Sequence, residues 1–336
     1  MTSSDPKIKT TVVGSYPIPA WLVALPSEQA LIDATRAVLG TQEKAGLDVV
    51  CDGEMYRFDI NHPETNGMIE YFTRPMDGIR NESTFDEVID YRQLDGMKFR
   101  AKPPGVVDGK IGHGTLDLPF AAMRAQNVAQ KPLKFTLTGP HMLAKTLINK
   151  HYSNVPEMAM AIAEILAEQV KHINADVIQL DEANLPGHPD EWEWAAKAIN
   201  LVLDQVKTTP AVHLCFGNYA GQTVQSGTWD RLINYLNSLH VDHIVMENAH
   251  RPIEELAVFK ELRPEIGLGL GVVDIKVNQV ETADEIASSI EKAEKILGQG
   301  RIRYINPDCG FWMLPRNVAD GKIRALVEGR DLYEGR

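Results

Sequence analysis

The chain has 336 residues, 44% apolar and 24% charged, with a formal net charge of −12. This composition suits a water-soluble globular protein of one large domain or two ordinary ones. The acidity argues against nucleic acid or an anionic membrane as the main partner and favours small molecules. No run approaches the roughly 18 apolar residues of a membrane-spanning helix, and the polar stretch from Met1 to Lys9 lacks the apolar core of a secretory signal. Three cysteines, Cys51, Cys215 and Cys309, are too few for a disulfide framework. A cytoplasmic enzyme is the expectation, and a homo-oligomer is compatible with it.

Short β-rich apolar runs alternate with amphipathic stretches of helical length, the pattern of parallel strands joined by crossover helices. In chain order the predicted strands are Thr11 to Ser15, Asp48 to Asp52, Leu133 to Thr138, Val177 to Leu180, Ala211 to Cys215, His243 to Glu247, Gly267 to Val273 and Ile302 to Asn306. Apolar residues at three- and four-residue spacing predict helices over Pro156 to Ile173, Asp190 to Val206, Trp229 to Leu239, Ile253 to Leu262, Ala283 to Leu297 and Val318 to Glu328. The segment 55–131 is too long for one βα unit. It carries Lys102-Pro103-Pro104-Gly105 and Asp108-Gly109-Lys110, which read as an inserted hairpin or small subdomain over a barrel mouth. The fold class is α/β, a single (β/α)8 TIM barrel over 1–336 with an insertion after strand 2.

Reactive groups in such a barrel come from the C-terminal strand ends. Here those ends supply Gly14-Ser15, Asp52-Gly53-Glu54, Thr138-Gly139-Pro140, Asp181-Glu182, His213-x-Cys215, Glu247-Asn248, Asp274 with Lys276, and Asp308-Cys309-Gly310. A strand puts positions i and i+2 on one face, so His213 and Cys215 aim an imidazole and a thiol at one point. Glu247 and Cys309, from neighbouring strand ends, could complete a tetrahedral set of two sulfurs, one nitrogen and one oxygen. Zn2+ suits that mixture best. The competing readings are an ion-paired or helix-capping carboxylate for Glu247 and a loop thiol for Cys309. Cys51 lies three residues before Glu54 and reads as a core residue. Zinc with two thiolates is suited to binding an incoming small-molecule thiol and keeping it deprotonated at neutral pH.

Together these residues resemble the cobalamin-independent methionine synthase family, in its catalytic C-terminal barrel and its short single-barrel homologues. The marks are Val13-Gly14-Ser15-Tyr16-Pro17, Asp52-Gly53-Glu54, Asn66 to Phe72, Leu137-Thr138-Gly139-Pro140, Ile178 to Glu182, and the order His213, Cys215, Glu247, Cys309. The resemblance implies transfer of a methyl group from a folate-type or other alkyl donor to the thiolate of homocysteine. It implies that Gly14, Ser15, Glu54 and Asp181 hold the amino acid, its ammonium facing the carboxylates. Two enclosed carboxylates are costly unless a cation neutralises them. Pairing of Glu54 and Asp181 with Arg57 or Lys276 is the alternative.

Two departures stand out. Where the family has a histidine that serves as acid or proton relay, in Tyr-Asp-Ile-His, this chain reads Val273-Asp274-Ile275-Lys276. Asp274 and Lys276 are therefore the catalytic candidates at that end, with Lys276 suited to an anionic substrate group. The Thr138-Gly139-Pro140 segment lacks a nearby tryptophan for a pterin to stack on, leaving Trp21, Trp312 or Phe216 as substitutes. Other readings are a zinc-dependent epoxide:thiol transferase of the coenzyme M type, a non-catalytic zinc- or thiol-binding barrel, and a zinc-free decarboxylase related to the uroporphyrinogen enzymes.

Overall fold

The computed structural model describes residues 7–62, 65–94, 100–217, 225 and 227–336. Its strands, in chain order, are β1 (Lys9–Thr10), β2 (Val50–Cys51), β3 (Asp77–Arg80), β4 (Val106–Gly112), β5 (Leu133–Thr138), β6 (Ile148–Asn149), β7 (Val177–Glu182), β8 (Thr209–Leu214), β9 (His243–Met246), β10 (Gly267–Val273) and β11 (Ile302–Pro307). Eight of these form one sheet in the order β1-β11-β10-β9-β8-β7-β5-β2. Each pairing is parallel. A parallel bridge between Thr11 and Val49 joins the two ends, so the sheet closes as the expected barrel.

The first strand falls earlier than the sequence pattern suggests. Asp48 accepts both the backbone N–H and the hydroxyl of Thr10, at 2.7 and 2.8 Å, and Arg330 donates to the same carboxylate oxygen at 2.6 Å. This polar clamp sets pairing at Lys9–Thr10. Residues 12–16 then leave the ladder as a buried mouth loop, tied down where Tyr16 N–H meets the Gly53 carbonyl at 3.0 Å.

Helices cover the barrel's outer face. Glu28–Ala45 starts at a Ser27 cap and stops at Gly46, whose φ of 92° is a left-handed terminus. Val155–Val170 has Asn154 as its cap and proline in the first turn. Ala283–Leu297 opens with a Thr282–Glu285 capping box, and Arg316–Glu334 runs longer than the periodicity indicates. The expected helix at 253–262 is instead a 3-10 helix over Ile253–Glu261. Its buried residues Leu256 and Phe259, with buried Leu262 just past its end, recur every third position, the repeat at which a 3-10 helix lines side chains along one face. Trp229–Leu232 is likewise a 3-10 turn, followed by the short helix Ile233–Ser238.

Within 55–131, β3 and β4 pair antiparallel. The sheet is completed by β6, which comes from beyond that segment and lies parallel to β4. Inside the barrel, Val49, Val177, Ala211 and Tyr304 make a small apolar cluster, and polar side chains of β5 and β7 line the interior toward the mouth. Thr138, Asp181 and His213 stand side by side in the β5-β7-β8 register, and Val245 of β9 is level with His213.

Candidate metal centre and substrate pocket

The end of β8 carries His213, and Cys215 follows one residue past the strand. Nδ1 of His213 lies 3.2 Å from the Val245 carbonyl, which can only accept, so the proton sits on Nδ1 and the lone pair on Nε2. Nε2 is buried with no hydrogen-bond partner among the described residues. It points at sulfur: His213, Cys215 and Cys309 bring their donor atoms within 4.8 Å of one another. The two Sγ atoms are 3.9 Å apart. Two sulfurs at tetrahedral positions around zinc, with Zn–S near 2.3 Å, would lie about 3.8 Å apart. An orphaned imidazole nitrogen and two sulfurs at this spacing therefore fit a soft divalent metal. Cys215 beside it holds the Cys309 thiol well below its ordinary pKa, assisted by His213 against the opposing effect of burial. The hydrogen bond with Cys309, burial and nearby Glu247 push Cys215 up.

Glu247, expected as the oxygen ligand, is not among these donors. Its Oε2 accepts the Phe216 N–H at 3.1 Å and its Oε1 accepts from Lys276 Nζ at 2.8 Å. Lys276 is correspondingly not a free cation facing the mouth. Asp274 accepts the Lys276 N–H on Oδ1 at 2.7 Å, and its Oδ2 lies 3.3 Å from Nδ1 of half-exposed His250.

The substrate candidates gather around β1, β2, β5 and β7. Glu54 has φ 61°, the one non-glycine in the left-handed region among the described residues. Asp52 Oδ1 holds it there by accepting its N–H at 2.8 Å. Such strain persists only where the surroundings enforce it. The Glu54 carboxylate is paired with Arg57 at 3.2 Å and accepts the Thr136 hydroxyl at 2.8 Å. The ion-pair alternative for Glu54 therefore describes the structure, with Arg57 as partner. Asp181 accepts from Gln179 at 2.7 Å, and Gln179 in turn accepts from the buried ammonium of Lys134 at 2.9 Å. Burial and neighbouring Glu54 raise Asp181 to about 7; burial lowers Lys134 to about 8. A Cβ on Gly14 would lie 2.3 Å from Glu54 Oε1, so glycine is required for this approach. Ser15 connects the pocket to the metal loop: its hydroxyl would meet a Cβ at Gly310 at 2.0 Å, and its carbonyl accepts the Phe311 N–H at 2.8 Å.

Sequence reasoning placed Asp308 at a strand end but gave it no role. Its carboxylate accepts three successive backbone N–H groups, from Asn248, Ala249 and His250, each at 2.8 Å. It therefore shapes the loop after Glu247 from the residue beside Cys309. A side chain that only accepts backbone N–H groups from another strand end leaves no spacing signal. Phe216 is fully buried, edge-on to Trp229 at 5.0 Å and beneath Arg251 at 3.7 Å, so it is unavailable for stacking on a ligand. Trp21 and Trp312 remain half-exposed.

Solved structures share this architecture. A B12-independent methionine synthase from a Shewanella species, in complex with selenomethionine, superposes with a TM-score of 0.80 at 24% identity over 98% of each chain. A putative vitamin-B12 independent methionine synthase from Listeria monocytogenes gives 0.70 at 16%, again over 98% of each. In sequence, the methionine synthase of Thermococcus kodakarensis is 31% identical over 97% of this chain and 94% of its own length. That of Pyrococcus abyssi is 30% identical over 96% and 92%. This chain therefore spans nearly the whole length of both relatives. The family model described as "Cobalamin-independent synthase, Catalytic domain" matches residues 8–330, and the chain belongs to the cobalamin-independent methionine synthase family.

Proposed function

We propose that this protein is a zinc-dependent methyltransferase that passes a methyl group to the thiol of homocysteine. The observation that carries the reading is the convergence of His213 Nε2, Cys215 Sγ and Cys309 Sγ within 4.8 Å, in a chain of this family. Zn2+ in that set would hold the substrate sulfur as a nucleophilic thiolate at neutral pH.

The protein's own groups do the rest. The Val245 carbonyl fixes the His213 tautomer, and the Cys215–Cys309 pair supplies soft anionic donors. Asp181 and Glu54 receive the amino acid's ammonium. Arg57 balances Glu54, so Asp181, raised to about 7 by burial and Glu54, is the carboxylate that gains most from an arriving cation. Gly14 and Ser15 shape the adjoining wall. His250, steered by Asp274, is the exposed imidazole on the loop after Glu247 and can deliver a proton to a leaving nitrogen of the donor. Trp21 and Trp312 are the exposed aromatic faces left for a planar methyl donor.

The epoxide:thiol alternative needs a free cation for a sulfonate, and Lys276 is already paired with Glu247. The test is to load purified protein with zinc and assay methionine formation from homocysteine with several methyl donors. Methionine formation that Cys309→Ser abolishes together with zinc binding is expected. Full turnover by the zinc-free protein or by Cys309→Ser overturns the proposal.

A further inference from the structure

Lys134 places a positive charge inside the barrel, on β5, where it is only 1% exposed. Lysines are almost never buried so deeply without a charged partner. Its ammonium instead donates at 2.9 Å to the amide oxygen of Gln179, which is fully buried on β7. Burial lowers Lys134 only to about 8, so it is a cation at neutral pH. The other end of the same amide makes two bonds: Nε2 donates to Asp181 Oδ1 at 2.7 Å and to the Val13 carbonyl at 3.0 Å. That carbonyl shares one rigid peptide plane with the Gly14 N–H. A single amide thus joins the buried cation to two walls of the pocket, the Asp181 carboxylate and the loop that carries Gly14 and Ser15.

We propose that Lys134 is a positioning residue for the amino-acid end of the substrate: through Gln179 it holds Asp181 and the peptide between Val13 and Gly14 in the arrangement that receives an ammonium. The inference rests on the reading of Asp181 as the ammonium's partner. Lys134 has N–H donors and no acceptor, so it can bind only the oxygen end of the amide. That turns the NH2 end toward Asp181 and Val13, which both offer acceptors. The reverse orientation would set three oxygens against one another and an NH2 group against an ammonium. Without Lys134 the Gln179 oxygen would be buried with no donor, a penalty comparable with the bonds that its NH2 group makes. The amide would then gain by turning away from Asp181. A positive charge at one end of the amide also strengthens donation at the other. Lys134 does not act by touching the substrate. It pairs with Val177 at the start of β7, whereas Asp181 stands four residues further on, level with Thr138.

The experiment measures, by calorimetry on the zinc-loaded protein, the dissociation constants of homocysteine and of sulfanylbutanoate, which keeps the thiol and carboxylate and lacks the amino group. The variants are Lys134→Met, Gln179→Met, the two combined, and Asp181→Asn. Lys134→Met is expected to weaken homocysteine binding about tenfold, the size of one lost hydrogen bond to a charged group. Sulfanylbutanoate binding should change less than about twofold, because it has no ammonium to place. Gln179→Met should do the same. The double variant should be no worse than Gln179→Met alone, since a residue that acts through another adds nothing once that other is gone. A folded Lys134→Met that binds homocysteine like the parent overturns the proposal. So does equal weakening of both thiols, which would mark Lys134 as a support of the barrel alone, or an additive loss in the double variant. The double variant leaves neither an unpaired ammonium nor an unpaired amide oxygen, so it keeps the test decisive if Lys134→Met does not fold: parent-like homocysteine binding there overturns the proposal equally. Unchanged homocysteine binding by Asp181→Asn would overturn the reading of the pocket itself. A loss in Asp181→Asn with none in folded Lys134→Met would leave that reading standing and remove only the role of Lys134.

Discussion

The sulfurs of Cys215 and Cys309 lie 3.9 Å apart although 94 residues separate them in the chain. That distance is too long for a disulfide and matches two ligands of one tetrahedral metal. Structural zinc sites bind with roughly 10–16 kcal/mol, so removing one of a few donors costs about 3 kcal/mol, on the order of 100-fold in affinity. Cys215→Ser and Cys309→Ser should each lose zinc to a mild chelator that leaves the parent loaded. Cys51→Ser, in a separate buried position, should keep its zinc. Equal retention of zinc by all three proteins would refute the ligand assignment.

Gly14 offers a finer probe of the substrate pocket. A methyl group there would sit 2.3 Å from Glu54 Oε1 and 3.3 Å from Thr136 Cγ2. Glu54 cannot simply swing away, because Arg57 and Thr136 hold it. Overpacking of this kind costs about 1–3 kcal/mol. Gly14→Ala should therefore raise KM for homocysteine about tenfold while zinc content stays at that of the parent. A normal KM would show that Glu54 does not meet the substrate.

Asp308 predicts a graded series. Asp308→Ala leaves three backbone N–H groups without their acceptor, at about 1 kcal/mol each, so urea unfolding should show a loss of roughly 2–4 kcal/mol. Asp308→Asn keeps an oxygen for Asn248 and Ala249, which share Oδ1, and loses only the bond to His250 on Oδ2. Its loss should be about a third as large. Identical stabilities for the two variants would mean that the loop does not depend on this carboxylate.

Much of the site was readable because strand periodicity is strict. His213-x-Cys215 shares a face by that rule alone, and β5, β10 and the helix Ala283–Leu297 occupy the predicted residues. The failures are physical. β1 is placed by Asp48 and Arg330, which are distant in sequence. The 3-10 helix Ile253–Glu261 has an apolar spacing that an α-helix can also use. The pairing of Lys276 with Glu247, both at strand ends, was likewise not legible. Whether a buried cation goes to a substrate or to a neighbouring carboxylate depends on three-dimensional distance, which no spacing encodes. Arg57, three residues after Glu54 in a one-turn 3-10 helix, was the readable partner.

Asp52 should make the fold sensitive to pH in a direction opposite to that of most carboxylates. It is buried, its Oδ2 has no partner among the described residues, and burial, with some help from Glu54, raises it from 3.8 to about 7. The folded protein therefore keeps this proton where the unfolded chain has released it. Between those two values the native state binds more protons, so stability falls as pH rises through the window from about 4 to about 7, and is fully present below it. Asp52→Asn preserves the acceptor for Glu54 N–H and removes the titration. In urea unfolding at pH 5 and pH 8, the variant should lose less stability than the parent by on the order of 2 kcal/mol, and should be the more stable of the two at pH 8. Parallel pH profiles for the two proteins would show that Asp52 is ionised in the folded state at neutral pH.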